Sequence, residues 1–299
     1  MCGAYYTPCA KDDLLIMRAT EKIDKAGAAS LRFLYNTAVG RILLFPLICR
    51  PVSFIAGKFL DSRLSKIFVK RFIKSNGIDM TDYEDRAFNS FNDFFTRRVK
   101  ESARPVCTEE NAFISPCDAR LTVYPITQER CFEVKGVNYT VKDLRCSEQL
   151  AQKFEGGYCM IFRLAVDNYH RYGWCADGKA EKTVKIKGKY HTVQPIAVRK
   201  YPVFRENVRE YTVLENELFG ICVQLEVGAL MVGRICNDNP FGGTAKRGAE
   251  KGRFEFGGST VIVLTQKDKV SLDDEFFQNT QNGLETLVKY GEGLGYSNN

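Results

Sequence analysis

The chain reads as an α+β protein with an antiparallel-rich β core, sandwich-like or barrel-like, and an N-terminal helical, membrane-associating region. Three observations predict this. From about Ile114 onward, short β-type runs alternate with Gly-containing turns, and few helical stretches intervene. Before residue 100 the pattern is helical and rich in aromatic residues. Between residues 40 and 75, uncharged apolar runs coincide with a basic excess, and they do so nowhere else in the chain. At 299 residues the chain is long enough to bury a full core. The expected division is 1–100 for the helical region and 101–299 for the β-rich domain.

Residues 1–39 mix helix formers with glycines and are expected to be helical. Residues 42–49 (ILLFPLIC) and 52–60 (VSFIAGKFL) are two apolar runs split by Arg50 and Pro51, each too short for the roughly 20 residues of a spanning helix. Leu60, Leu64, Ile67, Phe68 and Phe72 then recur at helical spacing, with Arg63, Lys66, Lys70 and Lys74 on another face. That is the pattern of an amphipathic helix lying in a membrane interface. Ser90, three residues before Asp93 in SFNDFFTRRV, starts a helix or tight turn. Strands are expected at 120–126, 131–135, 158–164, 182–187, 211–214, 221–227, 229–235 and 260–266, and a short closing helix at 280–290. No internal repeat or low-complexity tract is present.

The net charge is +7, and the block from Arg41 to Lys74, with eight basic residues against Asp61 alone, carries all of it. Such a block beside apolar runs suits an anionic lipid surface. A nucleic-acid binder would interleave its cations with stacking aromatics, so nucleic acid is not an expected partner. Eleven cysteines, an odd number, occur without a CxxC pair, and the first residues lack the pattern of a secretory signal peptide, so reduced, mostly buried thiols are expected. Only His170 and His191 are present, and no Cys/His cluster has zinc spacing, so no metal is expected.

Four polar constellations interrupt the β region. Asp118 lies in SPCDAR, where an ordinary turn aspartate is the simpler alternative. Asp167, His170 and Arg171 follow a strand in RLAVDNYHRYG, and His191 sits in GKYHTVQP; each histidine is open to a structural or a catalytic reading. The fourth, GAEKGRFEFGGST, holds Glu250, Gly252, Gly257, Gly258 and Ser259. It lacks P-loop spacing and the GxSxG of a nucleophile elbow, and an ordinary hairpin turn would look similar. The alternative reading uses Ser259 against its own backbone. With no Cβ on Gly258, the Ser259 hydroxyl can reach the Gly258 carbonyl and shift the chain from amide to ester, given a base for its proton and donors for the oxyanion. β-Elimination would then release Gly258 as a new C-terminus and leave dehydroalanine, which hydrolyses to a pyruvoyl group.

The motifs FNDFFTRR (91–98), SPCDAR (115–120), DNYHR (167–171), TVQPIAVR (192–199), VGALMVGRI (227–235) and EKGRFEFGGSTVIVL (250–264) resemble, in order and spacing, those of the phosphatidylserine decarboxylase proenzymes. The likeness covers roughly residues 30–295. It implies self-cleavage between Gly258 and Ser259 into a β chain, 1–258, and an α chain, 259–299, that stays attached and begins with the pyruvoyl cofactor. It also implies a charge relay of Asp118, a histidine and Ser259, with His170 favoured and His191 in reserve. The pyruvoyl carbonyl would then take the amine of phosphatidylserine and accept the electrons released as CO2 leaves, giving phosphatidylethanolamine. Three departures stand out: Gly173 where many members carry a second histidine, GGST for LGST, and SPCDA for SPxDG.

The expected enzyme is thus a pyruvoyl-dependent phosphatidylserine decarboxylase, peripheral to the cytoplasmic side of the cell membrane, with 101–299 as its catalytic domain. Its expected partners are phosphatidylserine, an anionic membrane surface and its own two chains, with a homodimer left open. A soluble decarboxylase of a free amino acid and a non-catalytic lipid-binding relative are the alternatives.

Overall fold

The computed structural model describes residues 17–23, 29–128, 131–134, 137–144, 148–198, 200–230, 234–255 and 259–298. Phe256, Gly257 and Gly258 therefore lie outside the described residues. So do Met231, Val232, Gly233 and Arg199 of the quoted motifs.

Four helices open the chain: α1 (Ala29–Asn36), α2 (Ala38–Leu47), α3 (Arg50–Asp61) and α4 (Ile67–Asn76). Thr37 starts α2 by accepting the Gly40 amide on its hydroxyl, the usual way to satisfy a first-turn donor. The expected Arg50–Pro51 break is present: Pro51 occupies the first turn of α3, where its missing N–H costs nothing, and α2 and α3 meet at 70°. No single described helix is long and apolar enough to cross a membrane.

The stripe from Leu60 to Phe72 is not one helix. Ser62 is extended (φ −75°, ψ 153°) and ends α3, a 3-10 turn spans Arg63–Lys66, and α4 runs on to Gly77, whose φ of +62° closes it. The break divides the stripe. Leu60 and Phe72 pack against Val69, Phe91, Phe94 and Phe95, whereas Leu64 and Ile67 stay about three-quarters exposed, at 73% and 75%. The short helix α5 (Phe91–Phe95) begins as its sequence implies, with the Ser90 hydroxyl accepting the Asp93 amide at 3.1 Å.

Beyond it come β1 (Thr20–Lys22, earlier in the chain), β2 (Ala112–Ile114), β3 (Ala119–Pro125), β4 (Phe132–Val134), β5 (Val137–Tyr139), β6 (Tyr158–Leu164), β7 (Arg171–Gly173), β8 (Gly178–Ala180) and β9 (Val184–Ile186). The remaining strands are β10 (Arg209–Asn216), β11 (Gly220–Val227), β12 (Ile235–Asn237), β13 (Gly243–Ala245), β14 (Glu250–Phe254), β15 (Ser259–Thr265), β16 (Val270–Leu272), β17 (Leu284–Val288) and β18 (Gly293–Ser297). Helices α6 (Glu148–Gln152), α7 (Pro195–Val198), α8 (Val203–Glu206) and α9 (Asp274–Gln281) complete the order.

Every pairing between these strands is antiparallel. Ten of them form one open sheet in the order β1-β17-β3-β6-β15-β11-β10-β8-β13, with β9 also on β10; it does not close into a barrel. Strand β15 lies near its middle, every residue buried, which is why its sequence reads as an unbroken apolar run. Its side chains alternate. Ile262 and Leu264 face a core shared with α1, α2, α7 and α8, while Val261 and Val263 face a second core roofed by the small sheet β12-β14-β7 and by β16-β18-β2.

Two expectations need correction. The closing helix at 280–290 is instead the end of α9 followed by strand β17: Gly283, at φ +71°, turns the chain, and Thr286–Val288 pair with Ala119–Leu121. The free edge of β3 offers a ladder that outweighs the weak helical pattern there. The strand expected at 229–235 is displaced to β12, leaving Ala229 and Leu230 in a buried loop. The cysteines also depart in one respect. Cys117, Cys131, Cys159, Cys175 and Cys222 are buried free thiols, but Cys107 is disulfide-bonded.

Candidate active site

Register sets the site. Ser259 opens β15 opposite Leu164, the last residue of β6, and Thr260 pairs with both Arg163 and Val227. Across β6, Arg163 pairs with Arg120, so Asp118, just ahead of β3, stands at the same end of the sheet. Ser259 shares the face of Val261 and Val263 because side chains two apart point the same way. Its hydroxyl is fully buried and, among the described residues, has no hydrogen-bond partner. An unmade buried hydrogen bond costs about 1–3 kcal/mol.

His170 is placed from two sides. The loop after β6 is tied by the Ala165 amide donating to Asn168 Oδ1 at 2.8 Å, and the Phe254 amide of β14 donates to the His170 carbonyl at 2.9 Å. β14 ends at Phe254, five residues before Ser259 in sequence, so the histidine is anchored to the strand that precedes Ser259. Its Nδ1 donates to the Asn168 carbonyl at 2.8 Å, which leaves Nε2 as the lone-pair nitrogen; Nε2 is buried without a partner. Phe95 covers the ring at 4.0 Å between centroids. Burial, helped by the nearby Arg97 cation, lowers its pKa to about 3, so the imidazole is neutral at neutral pH.

Asp118 is buried but already engaged. Arg104 grips it through Nε (2.8 Å) and Nη2 (2.7 Å), and the Tyr290 amide donates to Oδ1 at 2.9 Å. Arg104 also reaches Asp82 at 2.9 Å. The structure thus brings Ser259, His170 and Asp118 to one end of the sheet without joining them into a hydrogen-bonded relay, since Nδ1 of His170 is spent on Asn168.

His191 is differently placed. Its Nδ1 lies 3.3 Å from the Tyr35 hydroxyl, its ring stacks on Tyr201 at 4.5 Å, and Asn207 clamps its backbone through Oδ1 at 3.0 Å and Nδ2 at 2.7 Å. Tyr35 and Val193 belong to the core on the Thr260 face of the sheet, opposite the face that Ser259 shares. Burial lowers the His191 pKa to about 4.

Gly173 is accounted for by packing. A Cβ there would stand 2.3 Å from the Tyr290 hydroxyl and 2.8 Å from the Ala249 carbonyl. The Tyr290 hydroxyl, donating to the Gly248 carbonyl at 3.0 Å, fills the space that a second histidine would need. Ala119 enters β3 directly and needs no left-handed backbone. Sequence reasoning missed Arg97, Arg104, Asn168 and Tyr290 as site residues. The signals available were the FTRR stretch carrying Arg97 and the DNYHR motif carrying Asn168. Among the described residues no group of three or more His, Cys, Asp and Glu has the arrangement of a metal site.

The sequence profile described as phosphatidylserine decarboxylase matches residues 91–296. The chain belongs to the phosphatidylserine decarboxylase family. It is similar to phosphatidylserine decarboxylase proenzyme 2 of Clostridium acetobutylicum, 41% identical over 269 residues that cover 90% of this chain and 92% of that protein. It is likewise similar to the phosphatidylserine decarboxylase proenzymes of Ruminiclostridium cellulolyticum and Clostridium novyi, each 39% identical over 275 residues, 90% of this chain and 92% and 93% of theirs. The profile takes in Asp118, His170, His191 and Ser259, while α1 to α4 lie before it.

Proposed function

We propose that this chain is a proenzyme that cuts itself between Gly258 and Ser259 and then decarboxylates phosphatidylserine to phosphatidylethanolamine at an anionic membrane surface. The buried, unpartnered Ser259 hydroxyl at the head of β15 is the observation that carries the reading. In the cut, Nε2 of His170 takes the hydroxyl proton, and the oxygen adds to the Gly258 carbonyl. The C–N bond breaks as the Ser259 nitrogen gains a proton, leaving an ester. Loss of the Ser259 α-proton then breaks the Cβ–O bond and frees the Gly258 carboxylate. The Asn168 carbonyl keeps the proton of His170 on Nδ1 throughout, so Nε2 stays the base. Asp118 contributes its charge from the Arg104 and Tyr290 clamp. Water then hydrolyses the resulting dehydroalanine with loss of ammonia, and the pyruvoyl group so formed would supply an electron sink for the pair left on the substrate α-carbon as CO2 departs.

Residues 40–75 support a peripheral membrane contact. Among the described residues, apart from Met17, Val184 and Phe241, the exposed large apolar side chains all fall between Phe33 and Phe68, among them Ile42 (72%), Phe45 (70%) and Ile55 (67%). Apolar exposure on this scale marks an interaction surface. The basic residues of the same stretch select an anionic one, at about 1 kcal/mol per Lys or Arg near charged lipid. The attraction of cations to the anionic inner leaflet supports the cytoplasmic side of the cell membrane. Residues 1–100 then act as the docking region and 101–299 as the catalytic domain.

Denaturing mass spectrometry tests the reading. Active protein should resolve into two chains split at 258/259, and Ser259→Ala should remain one chain with no detectable activity. A single intact chain in active protein would refute it.

A further inference from the structure

A guanidinium stands beside His170 without an ion pair among the described residues. Arg97 is 1% exposed. Its Nη2 donates to the Tyr83 hydroxyl at 3.1 Å and to the Asp167 carbonyl at 3.2 Å, and Nη1 to the Phe94 carbonyl at 3.5 Å. The ring of Tyr83 lies 4.1 Å from its central carbon and that of Phe94 4.8 Å. Its Nε, buried, donates to nothing. Among the described residues no carboxylate forms an ion pair with it; Asp118 and Asp167 act on it at longer range, and Asp118 is held by Arg104. Two other buried cations are paired with acids, Lys251 with Glu226 at 2.6 Å and Arg104 with Asp118 at 2.7 Å, while Arg209, fully buried, donates to the carbonyls of Asp143, Leu144, Arg205 and Asn207. An unpaired buried charge is costly, and an anion bound to it would offset that cost.

Position narrows the anion. Arg97 follows α5, whose first residues are bound to the membrane-facing helices: the Phe91 amide donates to the Ser65 hydroxyl at 2.8 Å, and Asn92 Nδ2 to Asp61 at 2.8 Å. The last residue of the same helix, Phe95, lies against His170. A lipid headgroup entering from the helices toward His170 and Ser259 passes this segment. We propose that Arg97 binds the phosphodiester of the substrate headgroup, in a site whose second open donor position is its Nε. The inference rests on the decarboxylase reading and gives that site its means of selecting a phospholipid.

The substrate carboxylate is the competing anion, and chemistry disfavours it. A cation paired with that carboxylate would stabilise the ground state and lose its partner as CO2 departs, which raises the barrier. The phosphodiester keeps its charge throughout, so binding it anchors the headgroup without opposing the reaction.

Purified mature protein can be titrated calorimetrically with glycerophosphoethanolamine, ethanolamine and serine. Wild type should prefer the phosphodiester to ethanolamine. Arg97→Gln should weaken glycerophosphoethanolamine by about 10- to 100-fold, the range of a charged hydrogen bond, and Arg97→Lys by less, with ethanolamine and serine unchanged in both. Equal phosphodiester binding by wild type and Arg97→Gln would overturn the proposal, and so would a loss confined to serine, which would assign Arg97 to the carboxylate. Should Arg97→Gln fail to fold, Arg97→Lys decides by the same comparison: an undiminished preference for the phosphodiester over ethanolamine overturns the proposal. Wild-type protein that stays a single chain and leaves phosphatidylserine vesicles unchanged would instead defeat the decarboxylase reading itself.

Discussion

The helical face from Phe33 to Phe68 and the strand end around Ser259 depart from ordinary burial in opposite directions. The first leaves Ile42, Phe45, Phe54 and Ile55 in solvent; the second buries the Ser259 hydroxyl, His170 Nε2 and Arg97 Nε without partners. Each arrangement costs folding free energy, and neither has a compensating contact within the described residues. A fold tolerates such local conflict where it serves a partner or a reaction. On the proposed function, the exposed apolar side chains would meet a membrane surface, and the enclosed, unpaired polar atoms would meet a bond to be broken or an ion to be held.

Substitutions at the strand end should have the largest effects. His170→Gln is expected to slow the appearance of the two chains by roughly 100- to 10,000-fold, the usual contribution of a positioned base. His191→Gln, on the opposite face, should leave that rate within a few-fold while lowering the Tm. Time courses on denaturing gels separate the two, and equal slowing by both variants would erase the distinction drawn between them. On the helical face, Phe45→Asp with Ile55→Asp should lower partitioning onto phosphatidylserine vesicles at least tenfold, because each buried side chain is worth about 1.5–3 kcal/mol. Thermal unfolding in solution should not change. Sedimentation with vesicles measures the first quantity and calorimetry the second; a lowered Tm with unchanged partitioning would make this face part of the core instead.

The smallest expected effect concerns pH. Both histidines have folded pKa values below the unfolded value of about 6.5, about 3 for His170 and about 4 for His191. The unfolded chain therefore takes up protons that the folded one refuses. The stability each histidine confers is complete above about pH 6.5 and is lost as the pH falls toward the folded value, by at most about 1.4 kcal/mol per unit. Glu226 and Glu292, with raised pKa values, act in the opposite sense. The comparison that isolates one histidine is urea unfolding of wild type against His191→Gln, at pH 7 and pH 5. The gap between them should shrink at the lower pH.

Much of this architecture was legible in the residues. YCMIFRL and TVIVLT are strands because both faces of the sheet are covered there, and Pro51 and Ser90 place helix starts by local chemistry alone. Leu284–Val288 misled because its pairing partner, β3, lies over 160 residues away, and no local pattern reports a vacant edge. The candidate site was half legible. Ser259 and His170 are marked by their surroundings in sequence, and their common location follows from strand register. Arg97 and Tyr290 escaped notice because what distinguishes them, a missing acid and a filled glycine niche, exists only in three dimensions. The engagement of Asp118 by Arg104 likewise depends on a turn packed from another part of the chain.

Self-cleavage before Ser259, the first residue of β15, would make folding a one-way event. Residues 259–298 hold β15, β16, α9, β17 and β18, and they enter the large sheet at two separate places, between β6 and β11 and between β1 and β3. An uncut chain assembles this weave as one molecule. After a cut at 258/259 the same weave joins two molecules, so a mature protein once unfolded must find its missing piece by collision, at a rate set by concentration. Its durability is then governed by how slowly the strands unzip, and the precursor alone carries the instructions for refolding unaided.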